Sequence, residues 1–302
     1  MHILITGGTG FIGQHLIKQL DDHQLTIVTR SPGNAQKILG SQHQYLNNLG
    51  ALTDLDRFDA VINLAGEPIA QRWSIANKQK ICSSRWDLTA RLSELFSQSS
   101  KPPSCFISAS AIGIYGNGRQ SVDEQTSLCS FSETGADEQF AHSVCARWEE
   151  LAQSAEQYTR VSIIRIGLVL GSQGGALAKM LPAFKLGLGG KIASGSQGMS
   201  WIHIDDLTAL IMYLLTSQQC QGIYNGTAPN PVDNLTFTKQ LGKTLSRPTI
   251  FPAPEKILTL ALGEMAQLLT EGQFVLPKRT QDSGFVYKYP HLGPALADIL
   301  HH

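Results

Sequence analysis

The chain has no excess of charge: 24 Lys and Arg balance 24 Asp and Glu over 302 residues. That removes the basic surface a nucleic-acid partner requires and the single-sign surface of a polyion binder. Cysteines are few, scattered and odd in number (Cys82, Cys105, Cys129, Cys145 and Cys220), with no C-x-x-C pair. A disulfide framework and a thiolate zinc site are therefore excluded as organising devices, and reduced thiols in a cytoplasmic protein are expected. No apolar run is long enough to span a bilayer, and the first residues enter a strand rather than a signal sequence. Neither a membrane nor a nucleic acid is expected as partner. The expected ligand class is a small molecule, bound by a monomer or homodimer.

What is present starts at the N-terminus. Residues 2–6 form a short apolar run, followed at once by Gly7, Gly8 and Gly10, with Gly13 one helical turn later and a helix predicted over 11–20. Glycines at this spacing permit a tight turn, let backbone amides approach a pyrophosphate, and let the helix pack close to the strand. The start of that helix points free N–H groups at the phosphates. With a strand before it and a helix after it, the run reads as a dinucleotide fingerprint rather than a glycine-rich loop. A second strand over 25–29 ends in Thr29 and Arg30, about twenty residues past the central glycine. NAD-binding chains place a carboxylate there for the adenosine ribose; this chain has none. A guanidinium at that point can pair with a 2′-phosphate through its planar fork, so NADP(H) is expected over NAD(H). The plainer alternative for Arg30 is a surface cation closing a strand.

Further strands over 60–65, 104–109 and 160–170 alternate with helices over 77–97 and 137–155. The alternation predicts an α/β fold, a Rossmann-type doubly wound parallel sheet with helices on both faces. Ligands in such folds sit at the C-terminal strand ends, where the glycine fingerprint, 63–66 and 108–110 all fall. Past Gly171 the pattern loosens. It holds an amphipathic stretch over 176–188, a strand crossing back near 222–228, a polar helix, a proline-bounded strand over 249–251, an apolar helix over 255–270 and an aromatic tail. The expected division is a cofactor-binding unit over 1–228, with a substrate-side insertion at about 172–200, and a small C-terminal α/β subdomain over 229–302.

A string of motifs in order carries a family resemblance. They include GGTGFIG at 7–13, TR at 29–30, NLAGEPI at 63–69, SSR at 83–85, SASAIGIYG at 108–116, RWEE at 147–150, RIGLVLG at 165–171 and GLGGKIASGSQGMSWIHIDD at 187–206, with LPKR and SGF near the end. With them the chain resembles the extended short-chain dehydrogenase/reductase superfamily, in its atypical epimerase-family branch with an extra C-terminal domain. The resemblance implies NADP(H) contacts from Thr6, Gly7, Gly10, Phe11, Ile12 and Gly13, and from Thr29 and Arg30. It also implies that Leu64, Ala65 and Gly66 pass beneath the cofactor, that Arg85 adds a contact from the following helix, and that Gly167 lies near the nicotinamide.

The chemistry is where the chain departs from the superfamily. Working members carry Tyr-x-x-x-Lys on a helix, the lysine lowering the tyrosine pKa. Here none of Tyr45, Tyr115, Tyr158, Tyr213, Tyr224, Tyr287 or Tyr289 has a lysine four residues on, and the helix that would carry the pair reads FAHSVCAR from Phe140. Substitutes are Ser108 or Ser110 to orient a substrate oxygen, and Tyr115 or Glu67 to handle the proton; for each, packing or solvation is the plain alternative. His203 in WIHIDD reads as part of a loop closing onto the sheet, with Asp205 or Asp206 capping the next helix, and no metal site is expected. Two functions stay open: an NADP(H)-dependent oxidoreductase or epimerase-like enzyme on a small polar substrate, sugar derivatives included, and an NADP(H)-binding sensor or scaffold without turnover.

Overall fold

Strand β1 (His2–Thr6) alternates its faces: Ile3 and Ile5 enter one apolar cluster and Leu4 another, all fully buried. A strand whose two faces are both apolar belongs at the centre of a sheet covered on both sides. The computed structural model, which describes residues 1–128 and 140–301, places it there. In chain order there follow α1 (Phe11–Ile17), β2 (Gln24–Val28), α2 (Pro32–Leu39), β3 (Gln44–Leu46), β4 (Ala60–Asn63), α3 (Ile75–Gln98), β5 (Cys105–Ala111) and the short β6 (Ser121–Val122). Then come α4 (Phe140–Gln153), β7 (Arg160–Ile166), β8 (Leu168–Leu170), α5 (Gly175–Lys185), β9 (Gly198–Met199), β10 (Trp201–His203), α6 (Ile204–Thr216) and β11 (Gly222–Gly226). The chain ends with β12 (Val232–Asp233), α7 (Asn234–Leu245), α8 (Glu255–Leu262), α9 (Gln267–Thr270), β13 (Phe274–Val275), α10 (Lys278–Asp282) and α11 (Leu292–His301).

The central sheet has seven parallel strands in the order β11-β7-β5-β4-β1-β2-β3. The order reverses direction between β1 and β4, so a crevice opens at their C-terminal ends. Helices α1 and α6 cover one face through Leu16, Leu210 and Leu214; α3 and α4 cover the other through Leu92, Phe96 and Ala152. This is the Rossmann-type doubly wound α/β fold.

Several predicted boundaries move, for local reasons. The single strand over 160–170 breaks at Gly167. Its N–H donates to the Gly226 carbonyl, and Leu168 N–H then donates to Ser200, so β8 leaves the sheet to pair with β10. A Cβ on Gly167 would collide with the Ser200 carbonyl oxygen, so the crossing admits only glycine. Residues 249–251 form no strand. Pro248, Pro252 and Pro254 withhold donors, and a single bridge between Ile192 and Ala253 is all that forms. The helix over 255–270 is cut at Gly263, which ends α8 at φ +64° and leads through a 3₁₀ turn into α9. Helix α1 stops at Ile17, short of 20. The expected helix start at 137–139, like Cys129, lies outside the described residues. A third apolar cluster joins α5 (Leu177, Phe184), α7 (Phe237, Leu241) and α11 (Leu296, Ile299) around Trp201.

Candidate functional site

A cavity of about 890 Å³ opens at the C-terminal ends of β1, β2 and β4. Its walls include Thr6, Gly7, Gly10, Thr29, Arg30, Leu64, Ala65, Gly66 and Glu67. The volume is of the size that cofactor clefts have. Gly7 holds φ +74°, and a Cβ there would lie 2.5 Å from the Leu64 backbone carbon, so the glycine turn and the β4 end touch through bare backbone. Gly10 differs: its backbone is ordinary extended chain, and an added Cβ would meet only the Gly7 carbonyl at 3.2 Å. Whatever replaces its hydrogen projects toward the cavity it lines.

Arg30 follows β2 with its side chain 93% exposed, and it faces Glu67 at 3.7 Å. At that distance and exposure the pair contributes little, and the guanidinium is free to be re-aimed. The cavity's far wall comes from α3, through Lys80, Ser83, Ser84, Asp87, Leu88 and Arg91, and from Asn47 and Asn48 after β3. Sequence reasoning missed these. The signal was there for α3, because positions 80, 84, 87 and 91 recur at helical spacing with polar side chains on one face.

Five residues named for the cofactor lie off this wall. Gly13, Ile12 and Phe11 belong to α1, and the Phe11 ring lies against the glycines at 171, 174 and 175. Gly167 is the strand crossing described above. Arg85 turns behind the β4 loop: it donates to the carbonyls of Ile81 and Glu67 at 3.0 Å each and stacks over the Trp148 ring at 5.1 Å. Burial pushes its guanidinium pKa down from the ordinary value.

Of the four residues named for catalysis Glu67 lines the cavity, whereas Ser108, Ser110 and Tyr115, on β5 and the turn after it, are buried in hydrogen bonds. Ser108 lies beside Asn63, whose amide also bonds Thr89 and whose carbonyl oxygen accepts from Thr6. Ser110 donates to Glu149 Oε1 at 2.6 Å. The same carboxylate takes two bonds from Arg165, at 2.9 Å to Nε and 2.8 Å to Nη2, with both side chains almost wholly excluded from water. The Arg165 guanidinium lies 4.8 Å above the ring of Tyr115, whose hydroxyl donates to Asn225 at 2.9 Å. Burial raises the Tyr115 pKa above its usual value, against the lowering pull of Arg165. The chain near its C-terminus seals this network: Gln273 donates to the Tyr115 carbonyl and Asn225 to that of Leu276. Glu149, Arg165 and Asn225 were not singled out from sequence. A charged residue inside the apolar strand VSIIRIG was the available signal.

The start of α4, the helix on which the resemblance would place a proton relay, is packed against apolar neighbours. Phe140 packs edge-on against Trp73 at 4.9 Å, and Val144 is buried with Trp73, Ile81 and Met265. Four cysteines are free thiols, and burial holds Cys105 and Cys145 up at about 11, which makes both inert.

His203, rather than Asp205 or Asp206, caps α6: its Nδ1 accepts from the Asp205 N–H at 3.1 Å. Asp206 instead accepts the backbone N–H groups of Lys288 and Tyr289. His203, Asp205 and Asp298 come together closely enough to hold an ion. Because Nδ1 accepts that N–H, the neutral ring carries its proton on Nε2, the nitrogen 3.4 Å from Asp298.

Among known proteins, residues 3–225 match the NAD dependent epimerase/dehydratase family, and residues 253–299 match a domain of unknown function, DUF1731. The chain is 40% identical to the Arabidopsis thaliana protein called epimerase family protein SDR39U1 homolog, chloroplastic, over 99% of this chain and 87% of that one. It is 37% identical to the epimerase family protein YfhF of Bacillus subtilis, over 99% and 98%. The crystal structure of human epimerase family protein SDR39U1 (isoform 2) with NADPH superposes with a TM-score of 0.90 at 33% identity, covering 100% of this chain and 99% of that one. UDP-glucuronic acid 4-epimerase from Bacillus cereus, at 18% identity and a TM-score of 0.75, shares the fold. The chain belongs to the NAD dependent epimerase/dehydratase family, in the epimerase-family branch of the atypical short-chain dehydrogenases/reductases.

Proposed function

We propose that this chain binds NADP(H) in the cavity at the ends of β1, β2 and β4. The observation that carries the reading is Arg30, exposed on the cavity wall where NAD-binding chains place a carboxylate. The residues present fit the group. Gly7, Gly10 and the 64–66 backbone line a cavity whose volume is of the size a dinucleotide needs. The human relative bound to NADPH supports the same choice. In this site the glycine loop would carry the pyrophosphate on backbone N–H groups, and Leu64, Ala65 and Gly66 would form its floor. Arg30 would swing from Glu67 onto the 2′-phosphate through a charge-assisted bond.

When bound, the nicotinamide supplies or accepts a hydride, and family membership supports an oxidoreductase or epimerase-like reaction on a small polar substrate. A specific observation favours a second reading, binding without turnover. The Ser110 proton is given to Glu149, the Tyr115 proton to Asn225, and Phe140 and Val144 are apolar core. A serine that orients a substrate oxygen must donate its proton, and here that proton is already engaged. The free-thiol composition supports a reducing compartment such as the cytoplasm.

Stereospecifically deuterated NADPH, followed through a screen of carbonyl compounds and sugar nucleotides, separates the two readings. Label transfer to any substrate makes the protein an enzyme; full retention, with NADPH bound, makes it a binding protein. Failure to bind NADPH at all refutes both.

A further inference from the structure

Helix α8 has the sequence EKILTLAL and buries none of its residues. Glu255, Lys256 and Thr259 share one face of it, and the opposite face, with Ile257 and Leu260, is apolar and open to solvent. Before the helix in the chain, two segments run side by side. In these, Phe251 N–H donates to the Gly189 carbonyl, Ala253 N–H to that of Lys191, and Arg247 to that of Lys185. They present Leu186, Leu188, Ile250 and Phe251. Those six side chains are 53–84% exposed, and they are half of the twelve large apolar side chains left exposed among the described residues. Leu186, Leu188, Ile250 and Phe251, brought together on the paired segments, form an exposed apolar surface of the kind that marks an interaction site. The display is fixed: a Cβ on Gly190 would collide with the Phe251 carbonyl, so the two segments meet backbone to backbone.

The rim of this patch has one sign. Lys185, Lys191, Lys243, Arg247 and Lys256 lie within the paired segments and the adjoining helix ends, against Glu255 alone, in a chain whose overall charge is zero. Two copies meeting there would bring like charges together. An anionic lipid surface answers both halves of the arrangement, the apolar side chains entering the acyl boundary and the cations meeting the headgroups. We infer that this face docks on anionic membranes peripherally, without any span; among the described residues no helix is long and apolar enough to cross one. Docking is independent of the nucleotide cavity.

The test is co-sedimentation of the full chain with vesicles of phosphatidylcholine containing phosphatidylglycerol, and with vesicles of phosphatidylcholine alone. Binding to the anionic vesicles should exceed binding to the neutral ones at least about tenfold and weaken with salt. It should drop at least about tenfold in Phe251→Ser/Leu260→Ser and in Lys185→Glu/Lys256→Glu. Circular dichroism should report an unchanged fold, because all four side chains are exposed. Absence of binding to the anionic vesicles, or binding indifferent to both double variants, overturns the inference. A concentration-dependent dimer in analytical ultracentrifugation that Leu260→Ser dissociates would assign the face to a second copy and overturn it equally.

Discussion

Along the C-terminal edge of the sheet, the half built from β1, β2 and β4 is open, whereas the half built from β5, β7 and β11 is sealed. The open half is made of backbone and exposed side chains: Gly7 against Leu64, Gly10 beside empty space, and Arg30 in a loose pair with Glu67. The sealed half is made of buried polar side chains that satisfy one another, Ser110 with Glu149, Glu149 with Arg165, and Tyr115 with Asn225, under a lid of residues 273–276. The contrast teaches which positions of a shared scaffold are free to act. A group that is to bind a ligand must be cheap to re-aim, and the open half meets that condition. A group already spending its proton on a buried carboxylate holds the fold together instead.

The strongest way to break the comparison is at Glu149. Glu149→Ala strands the buried Arg165 guanidinium and should cost about 3–5 kcal/mol of stability, read as a shifted urea midpoint. A loss below about 1 kcal/mol would mean that the sealed half is not structural. Gly10→Val should do the reverse. Its branched side chain enters the cavity, so NADPH affinity should fall at least about a hundredfold, or ~2.7 kcal/mol. The extended backbone at Gly10 does not require glycine and the added Cβ meets only the Gly7 carbonyl, at 3.2 Å, so the urea midpoint should fall little. Undiminished calorimetric binding by the folded variant would count against the cavity.

Smaller perturbations sharpen the same line. Ser110→Ala removes one bond to a charged acceptor and should cost about 1.5–3 kcal/mol in stability, with NADPH affinity unchanged. If label transfer occurs and Ser110→Ala lowers it about a hundredfold, the hydroxyl acts in catalysis after all. The pH dependence comes from His203. Burial lowers its pKa below 6.5, against the raising influence of Asp205 and Asp298. A depressed folded pKa means that its contribution is complete above the unfolded value and is lost as pH falls below about 6.5 toward the folded value. Protonating Nδ1 also ends the α6 cap. His203→Asn keeps a cap acceptor and should flatten that acid limb of the stability profile; an unchanged limb would place the titration elsewhere.

The sequence disclosed the open half far better than the sealed one. Tight turns demand glycine, and a strand end without a carboxylate can be read from its neighbours, so the places of Gly7, Gly10, Arg30 and 64–66 along one cavity wall were legible. The α/β alternation likewise yielded the central strands. The sealed half depends on contacts such as Tyr115 with Asn225, 110 positions apart, and no local pattern reports these. Ser110 was noticed for its place at a strand end, but its partner Glu149 sits on a helix 39 residues on. The misplaced C-terminal elements have local causes. Prolines were read as bounding a strand over 249–251, whereas they remove the donors it would need, and Gly263 was read through as helix interior, whereas it turns the backbone and ends α8.

The most direct measurement is calorimetric titration of the unmodified protein with NADPH and NADH in parallel, followed by the same pair on Arg30→Asp. Arg30 on the open wall should make NADPH bind at least about tenfold more tightly, a difference of ~1.4 kcal/mol, and Arg30→Asp should erase or invert that preference. Equal affinities of the unmodified protein for the two nucleotides would contradict the assignment of the open half as an NADP(H) site.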